Sequence, residues 1–175
     1  VVIEKPMATT VADCDRIIEA EKKSRGRVLV ISQFRMSSDI DRAKKIIEDG
    51  EIGKVVLCDL YMKYWRSPQY YSGSTWRGTR KMDGGALMNQ GIHGVDLLQY
   101  IVGPIKNLNS ICRTLVHDIE VEDTAVAVVE FENGAIGTIA VFNDVTRDAL
   151  SGHFWAGSLN DNGYATGNAK VDINR

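Results

Sequence analysis

A glycine pair followed by an amide, an imidazole and a carboxylate stands at residues 84–96, in the stretch GGALMNQGIHGVD. Asn89 and His93 are four residues apart, so on a helix they lie on one face, and Asp96 falls close to that face. An imidazole exchanges a proton near neutral pH, and an amide can hold a ligand hydroxyl. Gly84 and Gly85 let another group approach the backbone closely. The stretch therefore predicts either a catalytic helix or a core histidine bonded to a backbone carbonyl, with Asn89 as a local backbone partner.

Lys5 is a second candidate for chemistry, because it follows the apolar run VVIE and precedes Pro6. Proline cannot donate to a sheet ladder, so the strand is expected to end at Pro6. In open α/β sheets, ligands collect outside the carboxyl ends of the strands, where an ammonium can stabilise developing negative charge. The alternative is an exposed lysine that only aids solubility.

A polar, aromatic-rich loop is predicted over residues 66–83. It offers hydroxyls, flat rings and guanidiniums, a set that suits sugar rings and phosphates. These side chains belong to Arg66, Tyr70, Tyr71, Trp76, Arg77 and Arg80. Ordinary surface arginines, with Trp76 packed on the body of the protein, are the competing explanation.

The composition is that of a folded globular chain, with 175 residues, 44% apolar and 25% charged. The net charge of -2 gives no electrostatic reason to expect nucleic acid or an anionic membrane as a partner. No apolar run reaches the roughly 20 residues that a membrane helix needs. Cys14, Cys58 and Cys112 are widely spaced and form no CxxC pair. This pattern predicts neither a disulfide framework nor a metal site, and it favours a reducing, cytoplasmic compartment.

The elements that must position these residues begin in α/β style. They are a strand at 1–4, a helix from Thr9 or Thr10 to Gly26, a strand at 27–32, a helix at 39–49 ended by Gly50, a strand at 53–65 and a helix from Gly85 to Val102. Three further strands are predicted at about 106–116, 122–131 and 135–143, and ENGA at 132–135 is a hairpin signal between the last two. The body is therefore α+β, with neighbouring antiparallel strands. From Thr146 onward we expect a loop or disordered tail, with one last strand at 169–173.

Five segments resemble the Gfo/Idh/MocA oxidoreductases, which include glucose–fructose oxidoreductase, inositol dehydrogenases and nucleotide-sugar dehydrogenases. They are EKP at 4–6, GEIGKV at 50–55, WRGT at 76–79, GGALMNQGIHGVDLL at 84–98 and VEDTAVAVVEFENGAIGTI at 121–139. The resemblance covers about residues 1–145 in the right order. Each motif alone has little specificity, but the combination is specific.

The resemblance implies a two-domain parent protein. Residues 1–35 are similar to the last strand–helix–strand of a dinucleotide-binding Rossmann domain. Residues 36–175 are similar to the C-terminal substrate-binding and oligomerisation domain, an open, mostly antiparallel sheet with helices packed on one face. The family implies NAD or NADP as cofactor, a sugar, cyclitol or nucleotide sugar as substrate, and a homodimer or homotetramer formed through the sheet.

The same resemblance implies roles for individual residues. Lys5 is similar to the EKP lysine near the nicotinamide, and His93 to the catalytic proton acceptor. Asn89 takes the place of an aspartate in inositol-type members and would position the sugar; the NQGIH version resembles members acting on UDP-N-acetyl sugars or related compounds. The residues implied to lie against the cofactor are Glu4, Lys5, Pro6, Trp76 and Arg77.

The sequence also departs from the family. It has no GxGxxG phosphate cradle, it has two glycines where members usually have three, and it stops resembling them after about residue 145. We therefore expect the C-terminal portion of a dehydrogenase that binds nicotinamide poorly and is inactive alone. The alternatives are a non-enzymatic sheet domain used for dimerisation and a sugar-binding module.

Overall fold

Two separate sheets organise residues 1–143, which are the residues that the computed structural model describes. The tail expected beyond Thr146 and the strand expected at 169–173 lie outside the described residues. No helix in the described part of the chain is long and apolar enough to cross a membrane.

The first sheet has two short parallel strands joined by a helix. β1 spans Val2–Glu4, α1 spans Val11–Lys22 and β2 spans Leu29–Ile31. Thr10 caps α1, because its Oγ1 accepts from the backbone N–H of Asp13 at 3.1 Å and donates to Asp13 Oδ2 at 2.8 Å. The predicted strand–helix–strand is confirmed, but Gly26 does not end the helix, which stops at Lys22.

A second helix is bounded as its sequence predicts. α2 spans Ser38–Glu48 and follows a short 3-10 turn at Gln33–Met36. Gly50 has φ of 73°, and its N–H donates to the oxygen of Ile47 at 3.1 Å. A left-handed residue after the last turn satisfies carbonyls that the helix leaves free, and glycine adopts it without a steric penalty.

The second sheet has four strands in the spatial order β3, β6, β5, β4. They are β3 at Leu57–Lys63, β4 at Ile105–Arg113, β5 at Thr124–Phe131 and β6 at Ile136–Phe142. Two of the three neighbouring pairs are antiparallel, while β3 runs parallel to β6. The predicted strand at 53–65 is thus present but shorter, and it joins the sheet at the edge beside the last strand.

The core lies between one face of this sheet and the helix that begins at Gly85. Alternate residues of β5 and β6 face inward, where Val129, Phe131, Ile139 and Val141 are almost fully buried. The opposite face of the sheet carries no helix among the described residues, and its apolar side chains are exposed. The expected open, mostly antiparallel sheet with helices on one face is confirmed.

Asp123, at the start of β5, is fully buried and holds the loop before it. Its carboxylate accepts hydrogen bonds from the backbone N–H groups of Leu115, Val116 and His117, and from Thr124 Oγ1. Burial alone would raise the pKa of Asp123, but these hydrogen bonds favour the charged form and lower it overall. One side chain thus holds three consecutive backbone N–H groups of the loop.

Candidate active site

Lys5 stands at the carboxyl end of β1 and reaches across to the segment that carries Asn89. Its Nζ donates a hydrogen bond of 2.8 Å to the backbone oxygen of Asn89. The Lys5–Pro6 peptide bond is cis, and the N–H of Lys5 donates to Glu4 Oε2 at 3.1 Å. Partial burial lowers the pKa of Lys5, while the carboxylates of Glu4 and Asp83 act in the opposite direction. The ammonium is therefore held in place by the protein.

The helix predicted to carry the amide and the imidazole begins against a carboxylate. Glu122 Oε1 accepts from the N–H of Leu87 at 2.9 Å, and the backbone oxygen of Glu122 accepts from the N–H of Ala86 at 2.8 Å. Negative charge at a helix N-terminus is favourable. Gly85 has φ of 76°, and a Cβ there would overlap the Glu122 carboxylate. The group that approaches the backbone at Gly85 is thus a side chain of the protein itself.

The first part of this helix, Leu87–Gly91, is π-helical, and Ile92–Ile101 continues it as an α-helix, here α4. Such turns are rare and are frequent at functional sites. Because a π turn is wider than an α turn, the α-helical spacing rule does not describe Asn89 and His93. The structure still brings both residues to Lys5, Asn89 through its backbone oxygen and His93 through a shared cavity.

The side chain of Asn89 is held by two neighbours. Its Nδ2 donates to Asp83 Oδ1 at 2.6 Å, and its Oδ1 accepts from Gln90 Nε2 at 2.9 Å. Asp83 Oδ2 also accepts from the backbone N–H of Gly78 at 2.7 Å. An amide offers two N–H groups and two lone pairs, so Asn89 keeps one N–H for a ligand. Asp83 joins the loop 66–83 to the helix.

His93 is 7% exposed and packs against an aromatic ring. The centre of its imidazole lies 4.7 Å from the centre of the Phe34 ring, with an angle of 37° between the planes. No residue among 1–143 hydrogen-bonds the His93 ring. The described chain therefore gives no support to a core histidine bonded to a backbone carbonyl.

The exposed part of His93 lines a small cavity of about 180 Å³. Lys5, Pro6, Ser32 and Asp96 line the same cavity. Burial lowers the pKa of His93, the positive charge of Lys5 lowers it further, and the carboxylates of Asp96 and Glu4 act in the opposite direction. The imidazole thus stays neutral to a lower pH than an ordinary histidine, which leaves it free to accept a proton.

Arg35 is a site residue that the sequence analysis did not identify. Its Nε donates to Asp96 Oδ2 at 2.7 Å and its Nη2 to Asp96 Oδ1 at 2.5 Å, while its Cζ lies 4.7 Å from the centre of the Tyr100 ring. This two-pronged contact fixes the Asp96 carboxylate beside the cavity. Arg35 and Phe34 follow β2 as Lys5 follows β1, and that position was the available signal.

Trp76 and Arg77 lie in the loop 66–83, which also contains a short helix, α3, at Pro68–Ser72. The Cζ of Arg77 lies 4.2 Å from the centre of the Tyr70 ring and 5.2 Å from that of Trp76. Neither Trp76 nor Arg77 lines the cavity shared by Lys5 and His93. Their contact with a cofactor stays a prediction.

Known proteins share these features of sequence and fold. The family model described as the GFO/IDH/MocA C-terminal domain matches residues 40–155. The chain belongs to this family. The resemblance seen in the sequence motifs is therefore confirmed.

Members of the GFO/IDH/MocA family resemble the chain over most of its length. It is 25% identical to levoglucosan dehydrogenase of Pseudarthrobacter phenanthrenivorans in an alignment 174 positions long that covers 85% of this chain and 43% of that protein. It is 29% identical to myo-inositol 2-dehydrogenase of Thermotoga maritima in an alignment 157 positions long that covers 86% of this chain and 43% of that protein.

A solved GFO/IDH/MocA-type neighbour is the WlbA dehydrogenase from Bordetella pertussis in complex with NADH and UDP-GlcNAcA. The TM-score is 0.81 at 38% sequence identity, over 84% of this chain and 42% of that one. The chain thus spans less than half the length of the relatives it matches.

Proposed function

We propose that this chain is the substrate-side part of an NAD(P)-dependent oxidoreductase that acts on a ring carbinol of a sugar, cyclitol or nucleotide sugar. One observation carries the proposal: Lys5 and His93 line a common cavity, and the Lys5 charge is close enough to lower the pKa of His93. Its relatives support it, because they include levoglucosan dehydrogenase, myo-inositol 2-dehydrogenase and a dehydrogenase bound to NADH and UDP-GlcNAcA.

The two side chains suit the two charges that this oxidation creates. When a carbinol is oxidised, a hydride leaves its carbon and a proton leaves its oxygen. His93 accepts the proton, which it can do at neutral pH because its pKa is low. Lys5 places positive charge beside the developing alkoxide. In the complete protein, a bound nicotinamide cofactor would accept the hydride.

The remaining predicted site residues have supporting roles in this proposal. Pro6 lines the cavity and, with Lys5 and Glu4, would lie beside the nicotinamide. Asn89 would hold the sugar through its remaining N–H, while its backbone oxygen orients Lys5. A cation and a neutral imidazole around a cavity of about 180 Å³ fit one ring of substrate or nicotinamide.

We further propose that residues 1–35 are part of a dinucleotide-binding domain and residues 36–175 the substrate domain. The exposed apolar surface of α1 supports this division, since α1 contains no buried residue and Val11 and Ile18 are exposed. Such a surface is what a helix shows when its packing partner is elsewhere. The unpaired Cys14, Cys58 and Cys112 suit a cytoplasmic protein.

Calorimetric titration with NADH tests the proposal. We expect weak or no binding to the 175-residue chain, and saturable binding to a gene product that also includes the residues preceding Val1. The longer protein should reduce NAD or NADP when a sugar or cyclitol substrate is supplied. Sugar binding without any hydride transfer by the longer protein would favour a sugar-binding module, and binding of neither ligand would favour a dimerisation domain.

The open face of the four-stranded sheet supports self-association, which we propose for the homodimer or homotetramer. Val126, Val128 and Ile111 lie on this face, and Val128 is 60% exposed and Ile111 is 64% exposed. Large exposed apolar patches mark interaction surfaces. We expect sedimentation analysis to show an oligomer for the native chain and a shift to monomer for Val128→Lys.

Ile52→Lys is the matched control for this prediction, because Ile52 is exposed to a similar degree in the turn after α2, away from the sheet. The same oligomer in the native chain and in Val128→Lys would show that the face is not the interface. A monomeric native chain would show that it does not self-associate.

A further inference from the structure

Two arginines lie close to one tyrosine ring in the loop 66–83. The Cζ of Arg66 lies 4.7 Å from the centre of the Tyr70 ring and that of Arg77 lies 4.2 Å from it. Each guanidinium also contacts a second ring, Arg66 that of Tyr64 at 5.4 Å and Arg77 that of Trp76 at 5.2 Å. Cations over aromatic faces are stabilised by the ring quadrupole, which holds both groups in place.

Neither guanidinium has a counter-charge within residues 1–143. The Nε atoms of Arg66 and Arg77 are buried and have no hydrogen-bond partner in the described chain. Arg77 donates one hydrogen bond, from Nη1 to the backbone oxygen of Tyr70 at 3.2 Å. No ion pair of the described residues includes either arginine, whereas Arg35 is paired with Asp96.

Buried N–H groups of a cation are costly when they are left unpaired, and native structures nearly always satisfy them. A ligand could not reach the Nε atoms themselves, but both guanidiniums lack a counter-charge in the described chain, which favours a negatively charged ligand at their other N–H groups. The two Cζ atoms are separated by no more than the sum of their distances to the Tyr70 centroid, so both guanidiniums lie around one ring. Arginine forks match the geometry of phosphate and carboxylate.

A cavity of about 430 Å³ lies beside Arg77 and has room for such a group. Tyr71 and Ser72 line it and carry hydroxyls that can donate to an oxyanion, whereas the Thr79 hydroxyl already donates to the backbone oxygen of Trp76 at 2.6 Å. Two carboxylates, those of Asp118 and Glu120, also line it, and Glu120 Oε2 accepts from the backbone N–H of Arg80 at 2.9 Å.

The loop that carries Arg77 is tied to the candidate active site. Gly78, the next residue, donates to Asp83, and Asp83 accepts from Asn89, whose backbone oxygen receives the hydrogen bond from Lys5. A ligand held by the arginines thus lies on the same hydrogen-bonded framework as the cavity of Lys5 and His93.

We propose that Arg66 and Arg77 form an oxyanion subsite that holds a phosphate or carboxylate group of the substrate. The anion site stands on the two arginines alone, and its assignment to the substrate rests on the proposed function. A phosphate would belong to a sugar phosphate or nucleotide sugar, and a carboxylate to a sugar acid.

Calorimetric titration of the 175-residue chain with pyrophosphate, inorganic phosphate and glucuronate tests this inference. We expect saturable binding of at least one anion, weakened roughly tenfold to 100-fold by Arg77→Gln and by Arg66→Gln, the usual loss for hydrogen bonds to a charged group. Tighter binding of pyrophosphate would identify a phosphate ligand, and tighter binding of glucuronate a carboxylate ligand.

Arg80→Gln is the matched control, because Arg80 lies in the same loop but is exposed and contacts Glu120. Equal weakening in all three variants, or no saturable binding of any anion, would overturn the subsite. Arg77→Lys keeps the positive charge but lacks the paired N–H groups of a guanidinium, and it is a second variant in case Arg77→Gln does not fold. Circular dichroism checks the folding of each variant. The anion titration contains no nicotinamide, so a failure to bind any anion would leave the oxidoreductase proposal intact. A lack of hydride transfer by the longer protein would likewise leave the anion subsite intact.

Discussion

Replacing His93 by alanine should lower turnover of the proposed oxidoreductase by about 10²-fold or more, the usual scale for a lost general base. The physical reason is that His93 is the neutral imidazole of the cavity that Lys5 also lines. Steady-state formation of NADH or NADPH, with the sugar or cyclitol that the enzyme accepts, measures the effect. Gln99→Ala is the control, because Gln99 lies on α4 but is exposed.

The pH dependence gives the same prediction a second readout. The rate of the native enzyme should fall as pH drops through the pKa of His93, which lies below its ordinary value of 6.5. Asp96→Asn removes a charge that raises this pKa, so the acid limb should move to lower pH, while Lys5→Met should move it to higher pH. Unchanged turnover in His93→Ala, or an acid limb that survives the substitution, would remove His93 from the role of base.

Replacing Gly85 by alanine should lower the free energy of unfolding by about 2 to 5 kcal/mol. Two costs add at this position. A Cβ is unfavourable at φ of 76°, and it would overlap the carboxylate of Glu122 that caps the helix at Leu87. Urea denaturation monitored by circular dichroism measures the loss.

Gly134→Ala separates the two costs of the Gly85 variant. Gly134 has φ of 83°, yet a Cβ there would meet nothing within 4 Å. Gly134→Ala should therefore lower the free energy of unfolding only by the backbone cost of a positive φ, about 1 to 2 kcal/mol. In a double-mutant cycle with Glu122→Ala, the penalty of Gly85→Ala should shrink, because the overlapping carboxylate is gone. Equal losses at the two glycines would show that the Glu122 contact does not constrain the helix start.

Local features of the fold were predictable because the residues that create them are neighbours in the chain. Thr10 and Asp13 cap α1 across three residues. The Asn133–Gly134 turn closes the β5–β6 hairpin, with Gly134 N–H donating to the oxygen of Phe131 at 3.0 Å. Such turns and caps depend on the φ preferences and side-chain reach of a few adjacent residues.

The candidate site was predictable only in part. Lys5, Asn89 and His93 were identified from their types, their spacing and the family resemblance. Four other residues of the site were not identified, namely Phe34, Arg35, Asp83 and Glu122. Their partners are distant in sequence, or their pairing depends on a helix start that the spacing rules do not describe. The contact between Lys5 and Asn89 joins residues 84 positions apart, and that between Arg35 and Asp96 joins residues 61 apart.

The amino-acid sequence by itself determined the kinds of elements, most of their ends and the family, since hydrophobic period, capping residues and turn glycines act over a few residues. Tertiary structure alone decided that β3 lies parallel to β6, that a carboxylate occupies the space above Gly85, and that Lys5, after the first strand, lines the same cavity as His93. Those outcomes depend on close packing between distant segments, in which each side chain is placed by the shape and charge of what it meets.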